Sequence, residues 1–419
     1  MRRLRNRSLG MAAALSFLAL SAQASDVLFS PADLSAVSGK ALNADASYLA
    51  LANNPATASL QMVQANPAAL GQRVAKLTLP VAPGLNLRAH AVDSYFTRSG
   101  SLVWTGVIED FSPVDESIAA DAFTFDPVNT VTLVSNQDRI TGNVRYKGDW
   151  YQIRPLKSGG HALVKVNLAA MPPEHPAEYA TLRTIRMKAP STPAPTKANT
   201  TIRVQVNYTP AVAAQVANIA GLVDLAVAET NQGYVNSGVA IDAVLANRAQ
   251  TSYTESGNFS TDLTRYRTTN DGYMDEIHGT RDSSSADVNV LLINNASACG
   301  LASSIGSTAA TAFVAVYWDC ATGYYSFAHE IGHLQSARHD PKNDPTTTPY
   351  AWGHGFQYTA NKRNQWRTIM AYDCTRGCPR LNYWSNPNKL YNGVAMGTTT
   401  KNDNARVLNT TAATVAGFR

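Results

Sequence analysis

Cysteine is scarce: 419 residues hold four, all between Cys299 and Cys378. That count excludes a miniprotein fold built from disulfides. Charge is thin as well, at 16% of residues, and the net +5 does not describe a nucleic-acid face. From Thr200 onward sixteen basic and sixteen acidic side chains balance, so the excess lies upstream, much of it in the first seven residues. Without clustered Lys and Arg in the folded part, nucleic acid is not a partner. Long apolar runs are missing beyond the first twenty-odd residues, which excludes a multi-pass membrane protein and stable membrane insertion. Hydrophobic residues are not lacking. At 45% they suffice for a packed core, and the length suggests two or three domains of about 100–200 residues each.

What is present begins with an export signal. Arg2, Arg3, Arg5 and Arg7 precede a short apolar stretch from Leu9 to Leu20, and Ala22-Gln23-Ala24 places small residues where a signal peptidase reads. Residues 1–24 are therefore read as a cleaved signal peptide, and the mature chain as secreted, extracellular or periplasmic. Outside the reducing cytoplasm the even cysteine count implies disulfides. Cys374 with Cys378 and Cys299 with Cys320 is one of three pairings that four cysteines allow.

Residues 26–75 read as a weakly patterned, Ala-rich helical stretch. From Lys76 to Asn167 short alternating runs take over, among them Ser101–Ile108, Thr130–Val134, Gly142–Tyr146, Trp150–Ile153 and His161–Val166. Asn136-Gln137-Asp138 and Lys157-Ser158-Gly159-Gly160 supply turns, so this region is an antiparallel meander. His90, His161 and His175 are scattered and read as structural or surface residues, as do His278 and His354. Pro190, Pro193 and Pro195 among small polar residues mark an extended linker over 189–199. It separates 25–188 from a carboxy-terminal domain, 200–419. There Thr201–Tyr208 alternates like a strand, Pro210–Asn236 has helical spacing, and strands are expected near Val239–Leu245, Asp287–Ile293 and Ala312–Val316. A polar helix is expected near Thr261–Ile277. Strands alternating with helices indicate an α/β arrangement.

The chemistry lies in His329-Glu330-Ile331-Gly332-His333-Leu334-Gln335-Ser336-Ala337-Arg338-His339-Asp340. Histidines four apart on a helix share a face, so both imidazoles can reach one metal. Glu330 stands beside the first, where its carboxylate can reach a water at the metal. His339 joins them if the helix ends and the chain turns back, with Ser326 a candidate cap at the helix start. Three nitrogens and an open fourth position describe catalytic rather than structural zinc.

These residues resemble the metzincin zinc endopeptidases, whose pattern is HExxHxxGxxH followed by a Met-turn. Thr368-Ile369-Met370-Ala371-Tyr372 fits that turn, and the resemblance implies that Met370 floors the site without ligating. Ser336 replaces the family glycine at a helix end where the backbone turns left-handed, which strains an L-residue by about 1 kcal/mol or more. Asp340 after the third histidine is similar to the reprolysin branch and implies hydrogen bonding that fixes the turn. Tyr372 is similar to the astacin and serralysin tyrosine that approaches the oxyanion. The combination, with Tyr383-Trp384-Ser385-Asn386-Pro387 and Asn404–Asn409, resembles the bacterial peptidyl-Asp metalloendopeptidases.

What this implies is an α/β fold: a metzincin catalytic domain, with a twisted mixed sheet, long helices and a zinc cleft, preceded by a mainly β propeptide. The implied activity is secreted, zinc-dependent hydrolysis of protein or peptide substrates by a monomer, with Glu330 as base and Tyr372 assisting. One catalytic Zn2+ is required, and calcium is left open. The propeptide would act as intramolecular inhibitor or chaperone. Cleavage before Asp or Glu needs a cation in the pocket, and Arg363, Arg367, Arg376 and Arg380 bracket the Met-turn. Alternatives are a broad-specificity neutral zinc protease and a catalytically silent zinc-binding module, against which Glu330 argues because binding zinc does not require it. Because no cysteine precedes Cys299, latency cannot rest on a cysteine switch. Thiol-modifying reagents should leave the full-length chain inactive in a peptide-hydrolysis assay, and activation by them would refute this.

Overall fold

The computed structural model describes residues 26–32, 42–109, 126–187 and 199–419. The proposed signal peptide and nearly all of the proline-rich linker lie outside these residues. Two sheets organise the molecule. The first has nine antiparallel strands: β1 (Phe29–Pro31), β2 (Thr57–Ala65), β3 (Lys76–Ala82), β4 (Leu85–Phe96), β5 (Leu102–Ile108), β6 (Thr130–Asn136), β7 (Arg139–Tyr146), β8 (Asp149–Pro155) and β9 (His161–Val166). Their spatial order is β1-β2-β9-β8-β7-β6-β5-β4-β3. From β3 to β9 consecutive strands are neighbours, which is the meander that alternation and turn residues dictate. Among the described residues of 26–75, the expected helical stretch is corrected to a short helix, α1 (Ala46–Ala52), capped by Asp45, and the strands β1 and β2. Met62, Val63 and Ala65 pack inward from β2, and alanine content alone did not make that run helical.

The second sheet carries the site. It comprises β10 (Thr200–Tyr208), β11 (Ile241–Gln250), β12 (Val288–Ile293), β13 (Gly300–Ala302) and β14 (Phe313–Tyr317), in the order β11-β10-β12-β14-β13. All pairs are parallel except β13 with β14, so the edge strand runs against the rest. Strands β12 and β14 are buried along their whole length, as apolar runs covered on both faces must be. The helix expected over Pro210–Asn236 is two, α2 (Pro210–Gln215) and α3 (Ile219–Ser237). Asn218 caps α3, and Gly238 closes it at φ 66°. The polar helix likewise splits into α4 (Phe259–Arg267) and α5 (Glu276–Ser283). Then come α6 (Ser326–Leu334) and α7 (Asn404–Val415). Among the described residues only α3 is long, at 19 residues.

The two sheets share one core. Trp150, Leu156 and Val164 join Ile202, Val204, Leu222 and Phe327 in a single buried cluster. Polar groups lock the seam: Glu229 of α3 accepts from Asn143 Nδ2 (2.6 Å) and from the Gly323 amide (2.7 Å). Arg154 donates to Thr322 Oγ1 at 3.0 Å, and Gln152 to Asp319 at 3.1 Å. The Trp150 indole donates to Asn143 Oδ1 (3.1 Å) and lies so close to Gly323 that no side chain fits there. Among the described residues no helix is long and apolar enough to cross a membrane. Trp150→Ala should empty this seam and lower the stability of the full-length chain by about 3–5 kcal/mol, read by urea denaturation. A loss below about 1 kcal/mol would show that the seam is loosely packed.

Candidate metal centre

Helix α6 presents His329 and His333 on one face, as a spacing of four requires. The helix ends after Leu334 because Ser336 takes φ 74°, which turns the chain so that His339 comes back beside them. Ser326 does not cap this helix; Tyr325, at φ 64°, precedes it with no side-chain cap. The Nε2 atoms of His329, His333 and His339 lie 3.1 Å from one another in every pairing.

A fourth imidazole completes the group. His175 Nε2 lies 3.1 Å from that of His329, 2.8 Å from His339 and 3.3 Å from His333. The reading of His175 as a structural or surface residue is therefore corrected. Its local sequence, Met171-Pro172-Pro173-Glu174-His175-Pro176, carries no ligand spacing; only the proline density hinted at a fixed, extended segment.

Protons at the far side of the rings define what the four nitrogens can do. His329 Nδ1 donates to the Ile369 carbonyl at 3.0 Å, His333 Nδ1 to Ala337 at 2.9 Å, and His175 Nδ1 to Gly300 at 2.8 Å. A carbonyl only accepts, so in these three rings the proton is on Nδ1 and Nε2 keeps its lone pair. Lone pairs facing one another at such distances are stable only around a cation. Burial pushes all four imidazoles away from protonation, so none of them is that cation. Tetrahedral zinc at about 2.0–2.1 Å from nitrogen separates its ligands by about 3.3–3.4 Å, close to what is found. The residues fit zinc.

Around this group, Glu330 is fully buried with its Oε1 3.6 Å from His175 Nδ1 and its Oε2 without a hydrogen bond. Burial, and after it the charge of Glu174, raises its carboxyl well above the usual range. Gly300, on the edge strand, is in such close contact with the Glu330 carboxylate that a Cβ would collide with it. The Tyr372 ring packs on His339 at 4.3 Å between centroids. Met370 is fully buried, its sulfur against Gly332, and the preceding carbonyl of Ile369 orients His329. Asp340 Oδ2 accepts from the Tyr372 amide at 3.1 Å and from Asn343, joining the His339 turn to the Met370 turn. His354 Nδ1 donates to the His339 carbonyl, which supports that turn from behind.

Of the four arginines, two converge. Arg367 Nη1 lies 2.8 Å from Glu174 Oε1, and Arg380 Nη2 contacts the same oxygen. Both guanidinium side chains are at most 3% exposed. Burial alone would raise the Glu174 carboxyl, but Arg380 and Arg367 outweigh it and hold the group far below the carboxylate range. Arg363 and Arg376 are exposed and take no part. The cysteines pair as Cys299–Cys320 and Cys374–Cys378, the first anchoring the edge strand to the loop ahead of α6.

Residues 198–385 match the family model of the M12 metallopeptidases, Reprolysin_5. Over 99% of its length the chain is 51% identical to a peptidyl-Asp metalloendopeptidase of Stenotrophomonas maltophilia, covering all of that protein. A peptidyl-Asp metalloendopeptidase of Xanthomonas campestris is 50% identical over 90% of this chain and 89% of its own. The chain belongs to the peptidyl-Asp metalloendopeptidase family. This enzyme is thus a zinc metalloendopeptidase, and a mixed sheet with helices carries its M12 domain. Among solved structures, metalloproteinase-II from Bacteroides fragilis aligns over 71% of this chain and 86% of that one, with 12% identity and a TM-score of 0.36.

Ser336 is the departure from the metzincin pattern, and the enzyme bears its cost. The residue is left-handed, fully buried, and its hydroxyl has no hydrogen-bond partner. Ser336→Gly removes the strain and the orphan hydroxyl together. It should stabilise the full-length enzyme by about 1 kcal/mol at unchanged zinc content. A lower denaturation midpoint would show that the hydroxyl is useful.

Proposed function

We propose that the enzyme is an exported precursor whose carboxy-terminal domain, 200–419, hydrolyses peptide bonds on the amino side of Asp or Glu. His329, His333 and His339 hold the catalytic zinc, and residues 25–188 are the propeptide. The observation that carries the acidic preference is the Arg367–Arg380 pair, buried beside the histidines and closed on a single carboxylate. Two desolvated guanidinium groups fit an acid well and an apolar or amide side chain poorly, because either would leave the charges unpaired. That favours an acid-reading pocket over a broad neutral protease. The names of the relatives agree with it.

Zinc, when bound, supplies a Lewis acid that polarises the scissile carbonyl and acidifies a water. Glu330 takes the proton of that water and returns it to the leaving amine, a role suited to a buried carboxylate whose proton affinity is raised. Gly300 leaves room for it. The Tyr372 hydroxyl donates to the developing oxyanion. Met370 and the Ile369 and Ala337 carbonyls keep the rings oriented. No aspartate lies between Asp149 and Asp224 in the sequence, so maturation near the linker either uses Glu174 or Glu178 or falls to another protease that cuts at Arg183, Arg186, Lys188 or Lys197.

The test uses enzyme processed from the full-length precursor and two peptides that differ only by Asp or Asn after the scissile bond. Wild type should favour Asp about 100-fold or more in kcat/KM, and Arg367→Gln or Arg380→Gln should reduce the ratio to within about tenfold. An unchanged ratio would remove these arginines from specificity. Separately, Glu330→Gln should retain zinc but lose peptide hydrolysis by about 100-fold or more. Activity within a few-fold of wild type would end its assignment as base.

A further inference from the structure

Resting on that reading, we propose that Glu174 and His175 form a tethered plug that silences the precursor. Glu174 fills the acid pocket, and His175 Nε2 takes the fourth position at the metal, where hydrolysis needs a water. The geometry around the dipeptide is built for this. The Pro173 carbonyl accepts from the Cys299 amide at 2.8 Å and the Glu174 carbonyl from the Gly300 amide at 3.1 Å, so the segment lies along the edge strand. Tyr179 stacks on the His175 ring with centroids 4.4 Å apart, and its hydroxyl bonds Asp344. Further along, Ile185 and Arg183 exchange backbone hydrogen bonds with Ile305. Pro172, Pro173 and Pro176 fix three φ angles, which lowers the entropy lost on docking.

The sense of the chain explains why the plug survives in its own active site. A substrate cut before its acidic residue presents the preceding carbonyl to the metal. Here the group at the metal belongs to the residue after the acid, and the preceding carbonyl, of Pro173, is bonded to the Cys299 amide. The carbonyl that a substrate would present to the metal is therefore held by the edge strand.

The experiment uses full-length precursor carrying Glu330→Gln, which cannot process itself, loaded with Co2+ in place of zinc. With His175 in place the visible spectrum should be that of four nitrogen donors and should not respond to added azide. In the His175→Ala precursor, azide should shift the spectrum, and a chelator should strip the metal about 10–100-fold faster. Equal spectra, azide responses and stripping rates in the two, with the fold intact by circular dichroism, would overturn the plug. Should His175→Ala not fold, the unsubstituted plug decides alone: an azide response there overturns the proposal. Precursor with Glu330 intact and both plug residues replaced, Glu174→Gln with His175→Ala, should hydrolyse an Asp-containing peptide before any cut in the linker, unlike wild type. If the cobalt results hold while processed enzyme ignores Asp peptides, the specificity reading has failed and the plug at the metal stands.

Discussion

Four buried imidazole nitrogens aimed at one point, three of them with the lone pair fixed there, are the constraint from which the rest of the site follows. Imidazole nitrogens about 3 Å apart repel unless a cation sits among them, and burial denies them protons as a substitute. Each other feature near α6 sets direction. Backbone carbonyls from three separate segments fix the tautomers, the left-handed Ser336 reverses the chain, and the Met370 turn closes the floor. Because those carbonyls come from β13, from the helix end and from the Met370 turn, the orientation of the imidazoles reports on the packing of all three. The cluster and the fold hold each other in place.

The second constraint is electrostatic. Arg367 and Arg380 also donate to the carbonyls of Ala371 and Tyr324, so their guanidinium planes are held whether or not a carboxylate is present. Two guanidinium groups held in this way are organised in advance, and a carboxylate supplies only the missing charge. Tyr324 stacks under Arg380 at 4.4 Å and narrows the space. Buried cations of this sort contribute less to stability than to choice, since desolvation offsets most of the attraction.

Local sequence carried those parts of the picture that local geometry determines. A spacing of four on a helix puts His329 beside His333 without help from the rest of the chain, and short runs rich in β-branched and aromatic residues between turn signals marked β5 to β9. His175 was illegible for the opposite reason. Its partners lie more than 150 residues away, and no period or spacing records a meeting made by two sheets sharing a core. The arginines fall between. Proximity to Met370 nominated four, but only burial separates Arg367 and Arg380 from Arg363 and Arg376. The region before β3 misled because alanine favours helix in isolation, whereas the neighbouring strand β9 recruited Thr57–Ala65 into the sheet.

The shared core gives the linker a particular meaning. While the chain is continuous, the Glu174–His175 segment faces its cleft at an effective concentration set by the tether, and local opening is followed by immediate return. A cut between residues 187 and 199 changes no packing contact among the described residues; it converts a unimolecular equilibrium into a bimolecular one. Release then depends on dilution and on how long Trp150 and its neighbours hold the halves together. Activation would accordingly show a lag between the cut and the appearance of activity, longer in concentrated solution than in dilute. The timing of the enzyme would be written into a seam some distance from its metal.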